Sequence, residues 1–203
     1  MKIVIVDYGM GNLKSISSAM IYLGVSEVKI SSDYDELNSA DKIILPGVGS
    51  FGKAMKEIKE RKLDDHLKEL VIEKKKPLLG ICLGMQLLGL SSTEDGLNEG
   101  LGFVNAEVTK FDTVRMKVPH VGFNQVKVNT ELRLYKNVPQ NADFYFTHSY
   151  KMLSAASINQ CTCDYNGEFI ASFELDNIAG VQYHPELSQH NGLALLKNFL
   201  NSF

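Results

Sequence analysis

The chain has 203 residues, of which 44% are hydrophobic, and its 21 basic and 24 acidic side chains give a formal net charge of −3. This length and composition predict one domain, residues 1–203, with a single buried core. The small net charge gives no electrostatic basis for binding nucleic acid or a membrane. No run of about 18 apolar residues predicts a membrane-spanning helix. The first residues form a strand pattern rather than a signal peptide, so we expect a cytoplasmic protein.

Short apolar runs alternate with helical patterns in the first half of the chain. The runs at 2–6, 42–45 and 77–81 are nearly continuous, as expected for parallel strands buried on both faces. Between them, the spacing of apolar residues predicts a helix that ends before Gly24 and another from Met55 to Val71. This alternation predicts an α/β fold, a doubly wound three-layer sandwich around a mixed, largely parallel sheet.

The second half has a pattern that predicts further strands and a last helix. Valines and aromatic residues alternate with turn residues at 103–111, 121–128, 143–150, 168–173 and 178–183. Some of these strands are expected to be antiparallel. A final helix is predicted from about Asn191 to Asn201, and the polar residues of 91–100 predict a surface loop.

Two of the three cysteines are close together in the sequence. Cys161 and Cys163 are spaced too closely for a zinc knuckle or a redox Cys-x-x-Cys pair. We expect one of them to lie in the core and the other to be exposed or at an edge, with neither catalytic. Three free thiols are compatible with a reducing compartment.

The third cysteine, Cys82, follows an apolar strand and is bracketed by Gly80 and Gly84. This is the pattern of a nucleophile elbow, a strained strand-to-helix turn in which the glycines keep side chains away from the tight backbone. The N–H groups of the following helix would favour the thiolate over the thiol. The alternative is a buried structural cysteine in a glycine-rich corner.

A histidine and a glutamate end the last apolar run. Residues i and i+2 of an extended chain lie on the same side, and Pro185 keeps the chain extended, so His184 and Glu186 can present their side chains together. A carboxylate that accepts from one ring nitrogen leaves the other free to take a proton from a thiol. With Cys82, the pair predicts a catalytic triad. The alternative is a strand-end histidine beside a solvated carboxylate.

A third apolar run ends in the glycine-rich loop Pro46-Gly47-Val48-Gly49. Acyl chemistry develops negative charge on a carbonyl oxygen, and backbone N–H groups aimed at that oxygen stabilise it. We expect the N–H of Leu83 and one from Val48 or Gly49 to surround this oxyanion. A phosphate loop is an alternative, but neither of its usual glycine motifs is present. A plain strand-to-helix turn is the other alternative.

Together the three segments resemble the class I glutamine amidotransferases, the triad-type glutaminases. The order Cys, His, Glu along the chain matches that family and differs from the order in the α/β-hydrolases. Within the family, three more segments are similar to the glutaminase subunits of imidazole glycerol phosphate synthase: Asp7-Tyr8-Gly9-Met10-Gly11-Asn12-Leu13, Pro119-His120-Val121-Gly122-Phe123-Asn124 and Tyr145-Phe146-Thr147-His148-Ser149-Tyr150. The likeness runs over essentially the whole chain.

The resemblance implies a reaction and roles for the site residues. Cys82 would attack the side-chain amide of glutamine, form a glutamyl thioester and release ammonia, while His184 moves protons and Glu186 orients it. Glutamine would be held at its α-amino and α-carboxylate ends by Gln86, Ser149 and Tyr150, with Gly47 and His148 nearby. Val48 would supply an oxyanion N–H. No metal or cofactor is implied.

The resemblance also implies a partner. In this family the ammonia passes through a tunnel into a (β/α)8-barrel cyclase subunit, with which the glutaminase forms a heterodimer in histidine biosynthesis. The residues expected to lie toward that partner are Asn12, Pro119, His120, Val121, Gly122 and Phe123.

Two departures from the family pattern concern this interface. The usual Met-Gly-Trp reads Val121-Gly122-Phe123, which loses an indole donor, and the usual Lys or Arg after His-Pro-Glu is Leu187. These changes fit an alternative, a paralogous glutaminase that supplies ammonia for the amidination of surface sugars.

The sequence leaves two further alternatives. A general cysteine hydrolase would use the same elbow, although the chain has no sizeable extra segment to bind a peptide. A non-catalytic partner-binding subunit would keep the fold and lose the chemistry, whereas this chain retains all three triad residues.

Overall fold

A computed structural model describes residues 1–114 and 117–203. The strands in these ranges are β1 (Lys2–Val6), β2 (Glu27–Ser31), β3 (Lys42–Leu45), β4 (Leu78–Ile81), β5 (Ser91–Ser92), β6 (Asn98–Glu99), β7 (Glu107–Lys110), β8 (His120–Lys127), β9 (Asn141–His148), β10 (Tyr150–Leu153), β11 (Cys161–Asp164), β12 (Glu168–Leu175) and β13 (Ile178–Val181). The α-helices are α1 (Leu13–Tyr22), α2 (Tyr34–Ser39), α3 (Phe51–Glu60), α4 (Leu63–Leu67), α5 (Leu83–Leu87) and α6 (Gln189–Ser202).

Five adjacent parallel strands, in the order β2-β1-β3-β4-β13, form the part of the sheet that positions the site. Alternate residues of β1 face opposite sides: Ile3 and Ile5 pack in one core cluster with α1 and α6, and Val4 and Val6 in another with α2, α3 and α4. Helices therefore cover both faces. The predicted doubly wound three-layer α/β fold with a mixed sheet is confirmed.

Antiparallel strands extend the sheet beyond β13. The order continues β12-β10-β7-β5-β6, and β11, β8 and β9 branch from β12. The longest pairing joins β8 to β9, with His120 opposite His148 at one end and Lys127 opposite Asn141 at the other. This pairing brings the start of β8 to the end of β9, beside the carboxyl edge of the parallel strands.

The helix predicted from Met55 to Val71 is wrong as a single element. Helix α3 ends at Glu60, Lys62 has a left-handed φ of 57°, and α4 then leads into a π-helical segment, Lys68–Glu73. The apolar residues Ile58 and Leu63 are five positions apart, which places them on different faces of a continuous helix. Both are fully buried, because the chain restarts the helix between them.

Three smaller expectations also need correction. The loop predicted at 91–100 contains the short antiparallel pair β5 and β6. Cys161 and Cys163 are both buried, because residues two apart on a strand share a face, and burial raises the pKa of Cys163 to about 12. Strand β2 and helix α2 were not predicted; β2 is a sheet edge without a fully buried residue, so its apolar signal is weak.

Candidate active site

The three motif segments converge because their strands are neighbours. Strands β3, β4 and β13 run parallel side by side, so the residues after them leave the same edge of the sheet. The Cys82 N–H donates to the carbonyl oxygen of Val181 at 2.8 Å, which continues the pairing of β4 with β13 past the last strand residue. Ligands of such sheets bind at this carboxyl edge.

Cys82 occupies a strained corner. Its φ of 54° and ψ of −112° lie in a region that non-glycine residues rarely adopt, and α5 begins at the next residue. A Cβ on Gly84 would lie 1.8 Å from the Leu45 carbonyl oxygen, and one on Gly80 would lie 2.8 Å from Met85 Cα. Only glycine fits at these two positions. The backbone therefore has the form that the elbow pattern predicts.

His184 and Glu186 form a buried pair. Nδ1 of His184 lies 2.9 Å from Oε1 of Glu186, and the two side chains are 4% and 0% exposed. His184 is extended, as Pro185 predicts, but Pro185–Leu187 is a 3₁₀ turn, so Glu186 reaches the ring from a turn rather than from a continuing strand. Nε2 of His184 is buried and has no hydrogen-bond partner among the described residues.

The pKa of His184 reflects both partners. Burial lowers it, but the neighbouring Cys82 and the hydrogen-bonded Glu186 raise it, and the net result is a pKa of about 10. The imidazole therefore interacts with the sulfur as well as with the carboxylate. An imidazole with this preference for the charged form keeps the proton that it takes from a thiol.

A cavity of about 420 Å³ opens over the sulfur. Its walls are formed by Val48, Gly49, Cys82, Leu83, Gln86, Glu94, Pro119, Thr147, His148, Ser149 and Tyr150. Among the described residues, every one predicted for substrate or oxyanion binding lines this cavity except Gly47. A Cβ on Gly47 would lie 2.3 Å from the Tyr8 hydroxyl and 2.9 Å from Leu83 Cβ, so only glycine fits between these side chains.

Sequence reasoning missed Glu94, which is the charged side chain among the described lining residues. Its Oε2 accepts a hydrogen bond of 2.7 Å from the Phe51 N–H. Burial raises the pKa of Glu94, while the Phe51 N–H opposes this shift. The sequence of segment 91–100 does not distinguish Glu94 from Asp95. Glu94 lines the cavity because the turn between β5 and β6 folds over α3, which is a long-range contact.

The cavity wall is supported by two buried histidines. His148 Nδ1 lies 2.7 Å from the Tyr150 carbonyl oxygen and Nε2 lies 3.0 Å from His120 Nδ1. Since a carbonyl can only accept, Nδ1 of His148 carries the proton and its Nε2 accepts from His120. Burial lowers the pKa of His120 to about 4 and that of His148 to about 3, so both rings are neutral at pH 7.

His120 is a correction to the expected partner interface. Its ring is 3% exposed and stacks against Phe146 and Tyr165, with ring centroids 4.7 and 4.0 Å away. Alternation along β8 turns His120 inward, while Val121 and Phe123 point outward and are 56% and 50% exposed.

The other residues expected at the interface differ in exposure. Pro119 is exposed, while Asn12 and Gly122 are half-buried. Gly122 has a φ of 129°, and the Asn12 side-chain oxygen accepts from the Ser15 hydroxyl.

Comparison with known proteins identifies the family. Residues 4–203 match the family model described as "Glutamine amidotransferase class-I". The chain belongs to the class I glutamine amidotransferases. It is therefore a glutamine amidotransferase enzyme, as the motifs predict, and the predicted family resemblance is confirmed.

This amidotransferase is similar along its length to curated bacterial relatives. It is 44% identical to "Imidazole glycerol phosphate synthase subunit HisH 2" of Vibrio vulnificus (strain YJ016), over 99% of this chain and 94% of the relative. It is 44% identical to subunit HisH of Aquifex aeolicus (strain VF5), over 98% and 96%. It is 42% identical to subunit HisH 1 of Campylobacter jejuni (strain RM1221), over 98% of both chains. These relatives are named as subunits, which implies a partner.

Solved structures share the fold. A structure titled "Crystal structure of glutamine amidotransferase" matches with a TM-score of 0.76 and 19% identity, over 97% of this chain and 96% of that chain. PurLQS from Thermotoga maritima matches with a TM-score of 0.76 and 18% identity, over 98% and 97%. Within the described residues of this amidotransferase, no helix is long and apolar enough to cross a membrane.

Proposed function

We propose that this amidotransferase is the glutaminase subunit of imidazole glycerol phosphate synthase, which hydrolyses glutamine to glutamate and ammonia. The observation that carries the chemistry is the buried His184–Glu186 pair, which leaves Nε2 of His184 without a hydrogen-bond partner among the described residues. The nucleophile beside it is Cys82, in a strained strand-to-helix turn. The pathway is supported by relatives with 42% and 44% identity over nearly the whole chain. We assign the triad to Cys82, His184 and Glu186.

The first step forms a tetrahedral adduct between Cys82 and the substrate. Nε2 of His184 takes the thiol proton, and the sulfur of Cys82 attacks the amide carbon of glutamine while the C=O π electrons move to oxygen. Glu186 holds Nδ1–H and stabilises the imidazolium that results. The N–H of Leu83 and one from Val48 or Gly49 stabilise the charge on oxygen.

The following steps release both products. His184 returns its proton to the amide nitrogen, the C–N bond breaks, and ammonia leaves a glutamyl thioester on Cys82. His184 then takes a proton from water as its oxygen attacks the thioester carbon. When the C–S bond breaks, glutamate leaves and the proton on His184 returns to the sulfur, which restores the thiol.

Substrate recognition follows from the cavity wall. A glutamine carries an α-ammonium, and Glu94 supplies a carboxylate that can pair with it. Ser149 and Tyr150 supply polar groups for the α-carboxylate end, and the side-chain oxygen of Gln86, whose NH2 is already used, can accept from the α-ammonium. Asparagine is one methylene shorter, so its amide cannot reach the sulfur while its α groups occupy the same contacts.

The test of this function is ammonia release from glutamine and from asparagine at equal concentration. We expect activity on glutamine and none on asparagine. Equal turnover of both amides, or of a peptide ester, would instead favour a general cysteine hydrolase.

We infer that the partner is a (β/α)8-barrel cyclase that forms a heterodimer in the cytoplasm and receives the ammonia through a tunnel. The exposed Val121, Phe123 and Leu187 supply an apolar surface for such an association. Leu187 and Phe123, where the family pattern has other residues, favour a second candidate: a glutaminase for surface-sugar amidination.

Isolation of the native complex and deletion of the gene separate these two candidates. A cyclase in the complex and histidine auxotrophy on deletion would support the first. Growth without histidine, with loss of the amidine from surface sugar, would support the second.

A further inference from the structure

Gln182 is a buried polar side chain for which the mechanism above has no role. It follows β13, directly before Tyr183 and His184, and its exposed fraction is 0%. A buried amide is costly unless its NH2 and its oxygen both have partners. The partners of Gln182 therefore indicate what its side chain holds.

The orientation of the Gln182 amide follows from its neighbours. The Tyr150 carbonyl oxygen can only accept, so the Gln86 side chain reaches it, at 3.0 Å, with its NH2 group. The same Nε2 of Gln86 lies 2.9 Å from Gln182, and the atom that accepts there is Oε1. The other end of the Gln182 amide is consequently NH2, and this nitrogen lies 3.8 Å from Sγ of Cys82.

We propose that Gln182 donates an N–H to the sulfur of Cys82 and thereby stabilises the thiolate that attacks the substrate. An amide NH2 has no lone pair available to accept, so it interacts with the sulfur only as a donor. A thiolate is a stronger acceptor than a thiol, because hydrogen bonds to a charged atom are stronger than those between neutral groups. Gln182 therefore favours the thiolate without competing for its proton.

The backbone group next to the sulfur has the opposite preference. The Thr147 carbonyl oxygen lies 3.9 Å from Sγ and accepts from the thiol. This contact stabilises the protonated form of Cys82. The Gln182 NH2, as a donor to the same sulfur, opposes this preference.

The titratable groups that face Cys82 do not serve as fixed hydrogen-bond donors to its thiolate. Burial, with a contribution from Cys82, raises the pKa of Tyr8 far above its usual range, and its hydroxyl donates to Pro46 O at 2.6 Å. His184 interacts with the sulfur and receives its proton, and Glu186 lies on the far side of that ring. Gln182 is thus a neutral donor that stays in place while the proton moves.

The test is the pH profile of alkylation of Cys82 by iodoacetamide in the full chain, for the wild type and for Gln182→Met. Methionine has a similar length and no donor. We expect the midpoint of the profile to move upward by about one pH unit, because a hydrogen bond to an anion is lost. Burial raises the pKa values of Cys161 and Cys163, so these thiols react slowly, and Cys82→Ser supplies the blank.

Asn177→Leu is the matched control. Asn177 is a buried amide at the other end of β13, and its Nδ2 donates to the carbonyl oxygens of Val71 and Lys76 at 2.8 and 2.9 Å. We expect this change to lower stability and to leave the midpoint in place. An unmoved midpoint in Gln182→Met would overturn the proposal and leave Gln182 as an anchor for Gln86.

A second measurement needs no substitution at Gln182. In the wild-type chain, the side-chain NH2 resonances of Gln182 should shift with pH at the same midpoint as alkylation, and the shift should disappear in Cys82→Ser. Gln182 NH2 chemical shifts that do not change with pH at the alkylation midpoint would contradict the proposal. The inference rests on Cys82 as the nucleophile of the proposed function, but neither measurement uses glutamine or a partner, so failure of one assignment is distinguishable from failure of the other.

Discussion

At the scale of single residues, the tautomer of His184 is decided by Glu186. The carboxylate accepts from Nδ1 at 2.9 Å, so Nε2, which has no hydrogen-bond partner in the described chain, is the ring nitrogen left to exchange a proton. Both side chains are almost fully buried, which excludes water from the bond and strengthens it. The pair is thus prepared for proton transfer before any substrate arrives.

Glu94 supports a prediction about substrate binding. Glu94→Gln removes the carboxylate that faces the cavity, and we expect KM for glutamine to rise about 10- to 100-fold, since a charge-assisted contact is lost. We expect kcat to change little, because Glu94 is not part of the triad. Steady-state ammonia release provides both constants. The control is Asp95→Asn, which alters an exposed neighbouring carboxylate; a similar KM in Glu94→Gln and wild type would refute the assignment.

The residues predicted from sequence and those missed differ in a physical way. Cys82 directly follows the buried strand β4, and His184 lies three residues after the buried strand β13, so a local pattern places them at one sheet edge. Glu94 has no such pattern, and the place of Gln182 directly after β13 does not show which side chains it contacts. Their roles depend on contacts with Phe51 and Gln86, which lie far away in the sequence.

At the scale of elements, the pairing of β8 with β9 buries two neutral histidines behind the cavity. His120 and His148 bond to each other across the strands, and His148 also bonds to the backbone of Tyr150. The cavity wall is therefore fixed by the register of these two strands. Burial that keeps the rings neutral also makes the pairing sensitive to acid.

This sensitivity is a prediction with a definite sign. The folded pKa values of about 4 for His120 and about 3 for His148 lie below the value of about 6.5 expected for an unfolded chain. Below pH 6.5 the unfolded state binds more protons, so the free energy of unfolding falls as pH falls toward the folded values. Between pH 6.5 and 5 we expect a loss of about 1.6 kcal/mol for each ring.

Urea denaturation at these two pH values measures the loss. The double variant His120→Gln/His148→Gln should lose less stability on acidification than the wild type. His190→Gln, at an exposed histidine, is the control and should behave as the wild type does. An unchanged pH dependence in the double variant would contradict the account.

Prediction of elements from the sequence succeeded where burial was complete. Strands β1, β3, β4 and β13 are fully or almost fully buried and have continuous apolar runs. The spacing of apolar residues does not predict the break between α3 and α4, because it does not show where one helix ends and the next begins.

At the scale of the whole molecule, the parallel order β3-β4-β13 brings together residues that lie far apart in the sequence. Val181 is paired with Ile81, which places the segments after both strands at one edge. Motifs predicted that Cys82 and His184 act together, whereas the order of strands depends on long-range pairing that local patterns do not show. The organisation as one domain over 1–203 stays a prediction.

The exposed apolar residues beside this edge support a prediction about assembly. Phe123→Ser and Leu187→Ser each remove part of the proposed partner surface, and we expect weaker association with the cyclase, measured by calorimetry, with little change in Tm. Leu153→Ser is the control, at a residue that is 41% exposed on β10. Equal affinity in all three variants and the wild type would argue against this surface.

The central claim is that Cys82 is the nucleophile of a glutaminase. The most direct test is ammonia release from glutamine by the wild type, Cys82→Ser and the buried-thiol control Cys163→Ser, each assayed alone and with the co-purified partner. The account predicts that Cys82→Ser folds with an unchanged circular dichroism spectrum and releases no ammonia, while Cys163→Ser stays active. Ammonia release by Cys82→Ser at the wild-type rate would contradict it.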